Sequence, residues 1–268
     1  MAKSWSAACL VIGDEILTGK IQDVNSHCLA KFLFELGIEL KRIEVVGDNE
    51  YDISEAIKKL SANHDFVFTS GGIGPTHDDI TYASIAKAFN LTLALDPFTW
   101  EKVLLLRSKQ LSSSSTKATE IAPLDGYKQM ATFPSPSQHI RAHDQIPIPI
   151  ILVNNNVYIL PGIPRLFKLL LHSLSHHIKQ NISTTTPFYR RQIGSKKPEG
   201  MIANLLTDLQ KSVQKDNIKI GSYPKLNDPN LSVVISLVGK DASKLDEITK
   251  IIVEKIDGWV IDDKDSKL

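Results

Sequence analysis

The chain has 268 residues, 42% hydrophobic and 23% charged, with 31 Lys plus Arg against 30 Asp plus Glu and a formal net charge of +1. That balance supports a core in one large domain, or in a medium domain plus a small one, and argues against a broad basic surface for nucleic acid. The two cysteines, Cys9 in an apolar run and Cys28 in a helical pattern, make neither a disulfide framework nor a zinc spacing, so reduced thiols are expected.

The apolar run from Ala7 to Gly13 is too short for a secretory signal, and Asp14 and Glu15 end it at once. No stretch approaches the length of a membrane-spanning helix. Neither membrane nor nucleic acid is therefore expected as a partner. A cytoplasmic location is expected, with nuclear presence left open.

In chain order, Ala7-Ala8-Cys9-Leu10-Val11-Ile12 reads as a strand covered on both faces. Leu29, Phe32, Leu33 and Leu36 recur at helical spacing, and Gly37 stops that helix. Ile43 to Val46 reads as a strand, 51–61 as a helix, 66–68 as a strand and 80–89 as a helix. Alternating strands and helices predict an α/β domain with a parallel sheet. A further helix is expected over 99–109. A serine run from Ser112 and five prolines then make 111–149 a long excursion, with room for short strands. Residues 150–153 and 157–160 suggest a hairpin around Asn154-Asn155-Asn156, followed by one helix over 165–178. Residues 179–268, with strands near 188–193, 218–221, 231–237 and 259–261 and helices near 201–209 and 245–256, read as a small α+β domain after a first domain of 1–178.

The strongest chemical signal is Gly71-Gly72-Ile73-Gly74-Pro75-Thr76-His77-Asp78-Asp79, between a strand and a helix. Glycines let backbone approach a ligand, and free amides at the next helix N-terminus favour phosphate. The loop is neither a P-loop nor a dinucleotide fingerprint. A tight turn with Asp78 or Asp79 as helix cap explains part of it, but not three glycines, a proline, a threonine and two aspartates together. Asp14 and Glu15 follow the first strand and Asp48 the second. Taken singly, Asp14 fits a cap and Glu15 a solvated face as well as they fit function. Carboxylates beside a phosphate need a cation, and Mg²⁺ accepts one or two carboxylates plus phosphate oxygens. Asp23-Val24-Asn25-Ser26 reads as a cap that also admits ligand contact. His77 and the helical His172, His176 and His177 carry no catalytic pattern. Pro161-Gly162-Ile163-Pro164 is a strand-to-helix turn open to close approach. Gly221-Ser222-Tyr223-Pro224 is read as a strand end that is either a turn or a cover for the pocket.

These motifs, in order over nearly the whole chain, resemble the molybdopterin-binding-like domain shared by molybdenum-cofactor enzymes (MoaB and Mog) and the CinA proteins, and most of all the N-terminal region of eukaryotic FAD synthases. Ile12 to Leu17, Asp23 to Ser26, Gly71 to Thr81, Asn156 to Pro164 and Gly221 to Pro224 carry the likeness. It implies a three-layer α/β/α domain with a mostly parallel sheet, followed by a small α+β domain. It implies a pocket at the strand ends formed by Gly71, Gly72, Gly74, Pro75, Thr76, Thr81, Asn25, Ser26 and Gly162. Asp79, Asp78 and Asp48 become candidate catalytic residues, and Asp14, Glu15 and Asp79 candidate metal ligands. The implied cofactors are Mg²⁺, Mn²⁺ or Co²⁺, with K⁺. A dimer or trimer accords with the family.

The sequence holds neither the nicotinamide-mononucleotide deamidase domain of full-length CinA nor the adenylyltransferase domain that makes FAD, so neither activity is expected of it. Ile146-Pro147-Ile148-Pro149 replaces the CinA-type segment there, which favours the FAD synthase branch. The expected function is metal-dependent hydrolysis of FAD to FMN and AMP, or of a related dinucleotide such as ADP-ribose. Two alternatives stand beside it: a molybdopterin-binding or adenylylating enzyme, and a non-catalytic flavin or nucleotide binder or regulatory protein.

Overall fold

The computed structural model describes residues 4–113, 124–141, 146–182, 186–226 and 228–261. The chain divides into two compact units, Met1–Thr185 and Thr186–Leu268.

The first unit opens with β1 (Ser6–Ile12), α1 (Asp14–Leu17), α2 (Asn25–Glu35), β2 (Glu39–Val46), α3 (Glu50–Asn63), β3 (Phe66–Ser70) and α4 (Thr81–Ala88). Gly37, at φ 70°, takes the left-handed turn after α2 that a side chain would resist. Then come β4 (Thr92–Leu95), α5 (Pro97–Ser113), α6 (Leu124–Gln129), β5 (Thr132–Ser135) and β6 (Gln138–Ile140). The unit closes with β7 (Ile150–Val153), β8 (Val157–Leu160), α7 (Pro164–Ser173) and α8 (Ser175–Asn181).

Six strands form one sheet in the order β2-β1-β3-β8-β7-β6. The pairs β1–β2, β1–β3 and β3–β8 are parallel, while β8–β7 and β7–β6 are antiparallel. The reversal comes from the expected hairpin, where Asn154 and Asn155 take φ of 50° and 60°, a conformation asparagine tolerates better than most residues.

Side-chain alternation along a strand builds the three layers. Ala7, Cys9 and Val11 of β1 join Phe68 and Tyr158 beneath α2 and α7, through Leu29, Leu33, Phe167 and Leu171. Ala8, Leu10 and Ile12 face the other way, with Val67 and Ile159, toward Ile53, Ile57 and Leu60 of α3 and Ile85 of α4. A strand buried on both faces must read as an unbroken apolar run, and β1 does.

The first unit departs from the sequence reading at several points. The single helix expected over 165–178 is two, because Leu174 is fully buried and its amide is shared between the carbonyls of Leu170 and Leu171. Strand β4, which pairs antiparallel with β5, was not anticipated: it is four residues long and all four are exposed, so its Leu93 and Leu95 enter no core. The excursion 111–149 contains α6, β5 and β6, while its residues 114–123 and 142–145 lie outside the described ones. Helix α5 begins at Pro97, earlier than expected, where Asp96 accepts hydrogen bonds from the amide and hydroxyl of Thr99.

The second unit holds β9 (Tyr189–Ser195), α9 (Glu199–Val213), β10 (Lys219–Pro224), β11 (Val233–Gly239), α10 (Ala242–Ile256) and β12 (Trp259–Ile261). Its antiparallel sheet runs β10-β11-β9-β12 over a core of Ile193, Ile202, Val233, Ile235, Leu237, Leu245, Ile248 and Ile252. Asp241 caps α10 by accepting from the Lys244 amide. Gly221, Ser222, Tyr223 and Pro224 lie inside β10, paired with β11, and form no turn after it. The Ser222 hydroxyl donates to Glu199.

Candidate functional site

The four parallel strands end side by side, and each delivers one of the sequence motifs. β2 leads into Gly47 and Asp48, β1 into Gly13, Asp14 and Glu15, β3 into Gly71 and Gly72, and β8 into Pro161 and Gly162. The chain passes from β1 to β2 on one side and returns to β3 on the other. The gap between β1 and β3 is therefore a topological switch point, where ligands enter open α/β sheets.

On the β2 side, Asp14 and Asp48 are locked to each other. The Asp14 amide donates to Asp48 Oδ2 at 3.0 Å, and the Asp48 amide donates to Asp14 Oδ1 at 3.3 Å. A Cβ on Gly47 would lie 2.4 Å from Asp14 Oδ1, so glycine there makes room for the carboxylate. Partial burial pushes the Asp48 carboxyl above its ordinary range. The hydrogen bond from the Asp14 amide opposes this, and the nearby charges of Asp14, Glu15 and Asp78 add to it. The far oxygens, Asp14 Oδ2 and Asp48 Oδ1, have no protein partner among the described residues.

Among the described residues no three His, Cys, Asp or Glu side chains converge as a metal cage. The donor set is instead an open two-carboxylate edge. That fits a Mg²⁺-type ion, which keeps waters and takes further ligands from substrate phosphates.

On the β3 side, Gly71 and Gly72 take φ of 110° and 66°. The loop is braced from within. Asp79 Oδ2 accepts from the Thr76 amide at 2.9 Å and from the Thr76 hydroxyl. Thr81, fully buried, donates its hydroxyl to the Gly71 carbonyl at 2.9 Å and its amide to the Gly72 carbonyl at 2.9 Å. Helix α4 starts at Thr81 without a side-chain cap, so neither Asp78 nor Asp79 is the cap that the plainer reading of the loop required. Pro75, Thr76, His77 and Asp78 are exposed.

Asn25 ties the far edge together. Its Nδ2 donates to Ser70 Oγ at 2.9 Å and to the Gly162 carbonyl at 2.7 Å, while Asp23 Oδ1 accepts from the Asn25 and Ser26 amides and does the capping at α2. Both Nδ2 hydrogens are thus engaged by protein, and Ser26 is buried. Asn25→Ala is expected to cost about 2 kcal/mol, because two hydrogen bonds go and the buried Ser70 hydroxyl loses its donor. Denaturant unfolding checks this; a change under about 0.5 kcal/mol would show that water replaces the side chain freely.

Sequence reasoning missed Gly47, Ser70 and, most of all, Gln129. Gln129 Nε2 donates to the carbonyls of Asp79, Thr76 and Gly74 at 2.6, 3.2 and 3.3 Å. No local signal marks a glutamine fifty residues from the loop it touches.

A doubly covered, mostly parallel sheet with strand-end loops around a switch point defines a three-layer α/β domain. The chain belongs to the molybdopterin-binding family: residues 8–180 match the family described as "Probable molybdopterin binding domain". Residues 187–265 match the family described as "FAD synthase, middle domain". A "Probable FAD synthase" of Caenorhabditis elegans is 28% identical over 279 residues, covering 97% of this chain and 52% of that protein. A "CinA-like protein" of Mycolicibacterium paratuberculosis is 32% identical over 180 residues, covering 65% of this chain and 42% of that protein. The crystal structure of the protein CinA from Thermoplasma acidophilum aligns with TM-score 0.54 and 29% identity, covering 65% of this chain and 98% of that one. The chain thus spans about half the length of the nematode relatives it matches. Among the described residues no helix is long and apolar enough to cross a membrane.

Proposed function

We propose that the chain is a metal-dependent pyrophosphatase acting on FAD, giving FMN and AMP, or on a related dinucleotide such as ADP-ribose. One observation carries the reading: the open carboxylate pair of Asp14 and Asp48 stands at the ends of β1 and β2, and the glycine loop leaves the adjacent β3. A bound diphosphate needs a cation against one part of its charge and amide donors against another, and adjacent strand ends supply both. The match of 97% of this chain to about half of a protein named "Probable FAD synthase" supports a flavin nucleotide as the substrate class.

In the hydrolysis, a water oxygen bonds to one phosphorus, the bridging P–O bond breaks, and two phosphomonoesters leave with the water's protons. Asp14 and Asp48 would hold the cation, with Glu15 and Asp78 adding to the negative field. A divalent ion held there would supply charge neutralisation and polarise a phosphoryl oxygen. The loop from Gly71 and the N-terminus of α4 orient the phosphates and stabilise the growing charge. Asp79 keeps the loop in shape through Thr76, and Thr81 does so through Gly71.

The test is a hydrolysis screen. Purified protein is mixed with FAD, ADP-ribose, NAD and ATP, each with Mg²⁺, Mn²⁺ or Co²⁺, with and without K⁺. FMN and AMP from FAD, or AMP and ribose phosphate from ADP-ribose, only when metal is present, is the expected result. No product from any pair would sink the hydrolase reading. The match over 8–180 favours one rival, a molybdopterin-handling enzyme in which the same loop holds the pterin phosphate. Transfer of AMP from ATP to molybdopterin, with no dinucleotide hydrolysis, would select it.

A further inference from the structure

We propose that Gln129 is a positioning residue that holds the glycine loop in its ligand-binding shape, so that α6, from the long excursion, sets the site's affinity for a diphosphate. The inference rests on the reading of that loop as the phosphate holder.

Two independent contacts from one six-residue helix carry it. First, the Gln129 side-chain amide has two hydrogens and faces three loop carbonyls, those of Gly74, Thr76 and Asp79, the last at 2.6 Å. Second, a Cβ on Gly126 would lie 2.3 Å from the Pro75 carbonyl oxygen, so α6 meets the loop backbone at a distance only glycine permits. The loop is thus hydrogen-bonded at three carbonyls and met in close contact at a fourth, that of Pro75.

The grip has a directional consequence. In a trans peptide the carbonyl and the following N–H point opposite ways. The Thr76 carbonyl, which accepts from Gln129 and from the Asp79 amide at 3.2 Å each, is pinned toward α6, and this turns the His77 N–H away from α6. That N–H has no protein partner among the described residues, so it remains a donor for an anion. The peptide after Gly74 offers no such donor, because Pro75 follows. The Ile80 N–H, after Asp79, already donates to the Asp78 carbonyl. Gln129 therefore acts through the loop backbone and need not touch ligand itself.

Three variants test this. Gln129→Met keeps the length and loses the donors. Gln129→Glu keeps the shape and regains a donor only when protonated. Gly126→Ala pushes α6 off the loop. Hydrogen exchange is read at loop 71–81 and at β1 and β3, and binding is read by calorimetry with inorganic pyrophosphate and Mg²⁺. In Gln129→Met the loop amides should exchange about tenfold faster, with β1 and β3 unchanged, and the Kd for pyrophosphate should rise about tenfold. Gly126→Ala should move both readouts the same way. Gln129→Glu should be as weak as Gln129→Met at pH 8 and recover toward wild type near pH 5, each compared with wild type at the same pH, as its carboxyl protonates. A role in fold stability alone would speed exchange in β1 and β3 as well and leave the Kd for pyrophosphate unchanged. If exchange and Kd are unchanged in Gln129→Met, or Gln129→Glu shows no pH-dependent recovery, the positioning role is overturned. If wild type binds no pyrophosphate while Gln129→Met still loosens the loop, the reading of the loop as diphosphate holder falls and the clamp stands.

Discussion

Asp48→Asn is expected to lower metal-dependent dinucleotide hydrolysis by about 10²- to 10³-fold with no loss of thermal stability. The two halves of that expectation come from different features of one residue. Asn keeps a side-chain oxygen that accepts from the Asp14 amide, so the link between the ends of β1 and β2 survives. What disappears is one negative charge from a group in which burial and the charges of Asp14, Glu15 and Asp78 work against ionisation of Asp48. Removing it relieves repulsion in the protein alone, yet takes away half of the carboxylate pair proposed to hold the cation. Stability and function thus pull in opposite directions at this position, as at many sites built for charge. Turnover should fall and the apparent metal affinity should weaken, while the melting temperature holds or rises. Full activity in the variant at saturating metal would place the cation elsewhere, and a falling melting temperature would make Asp48 a structural residue.

The second large effect belongs to Gly71. Gly71→Ala is expected to destabilise the first unit by about 3 kcal/mol or more and to abolish ligand binding. At φ 110° a side chain is strained in any surroundings. The added Cβ would also lie 2.2 Å from the Ile12 carbonyl oxygen, which is backbone at the end of β1 and has no room to give. The β1–β3 register from Ala7 to Val11 holds the two strands against each other, so the clash cannot relax without breaking the ladder. Gly19 is the control. It too has positive φ, 71°, but a Cβ there meets nothing within 4 Å. Gly19→Ala should cost only the conformational term, about 1 kcal/mol. Comparing the two in denaturant separates backbone strain from collision. Equal effects would mean that the β1–β3 contact adds nothing.

What could be read from the residues alone was what local chemistry dictates. The unbroken apolar run of β1 implied a strand covered on both faces, and alternate side chains do enter two separate cores. Gly37 and the three asparagines at 154–156 marked a helix end and a hairpin, because left-handed backbone is a property of the residue itself. The glycine loop stood out for the same reason. So did the acidic residues after β1 and β2, once the order of strands and helices implied a parallel sheet with aligned ends.

The tertiary structure decided the rest, wherever a residue's role depends on a distant partner. Leu174 divides a helix that looked continuous. Strand β4 exists through its pairing with β5 and buries none of its four residues. Asn25 read as part of a cap, yet Asp23 accepts the helix amides while Asn25 binds across 137 residues to Gly162. Asp79 caps no helix, and one of its carboxylate oxygens braces Thr76. Gln129 and Gly126, in a stretch with no regular period, reach the glycine loop. Backbone preference and hydrophobic period are written residue by residue, so sequence carries them openly. Which carbonyl a side chain meets across the fold is settled only when the sheet has placed both.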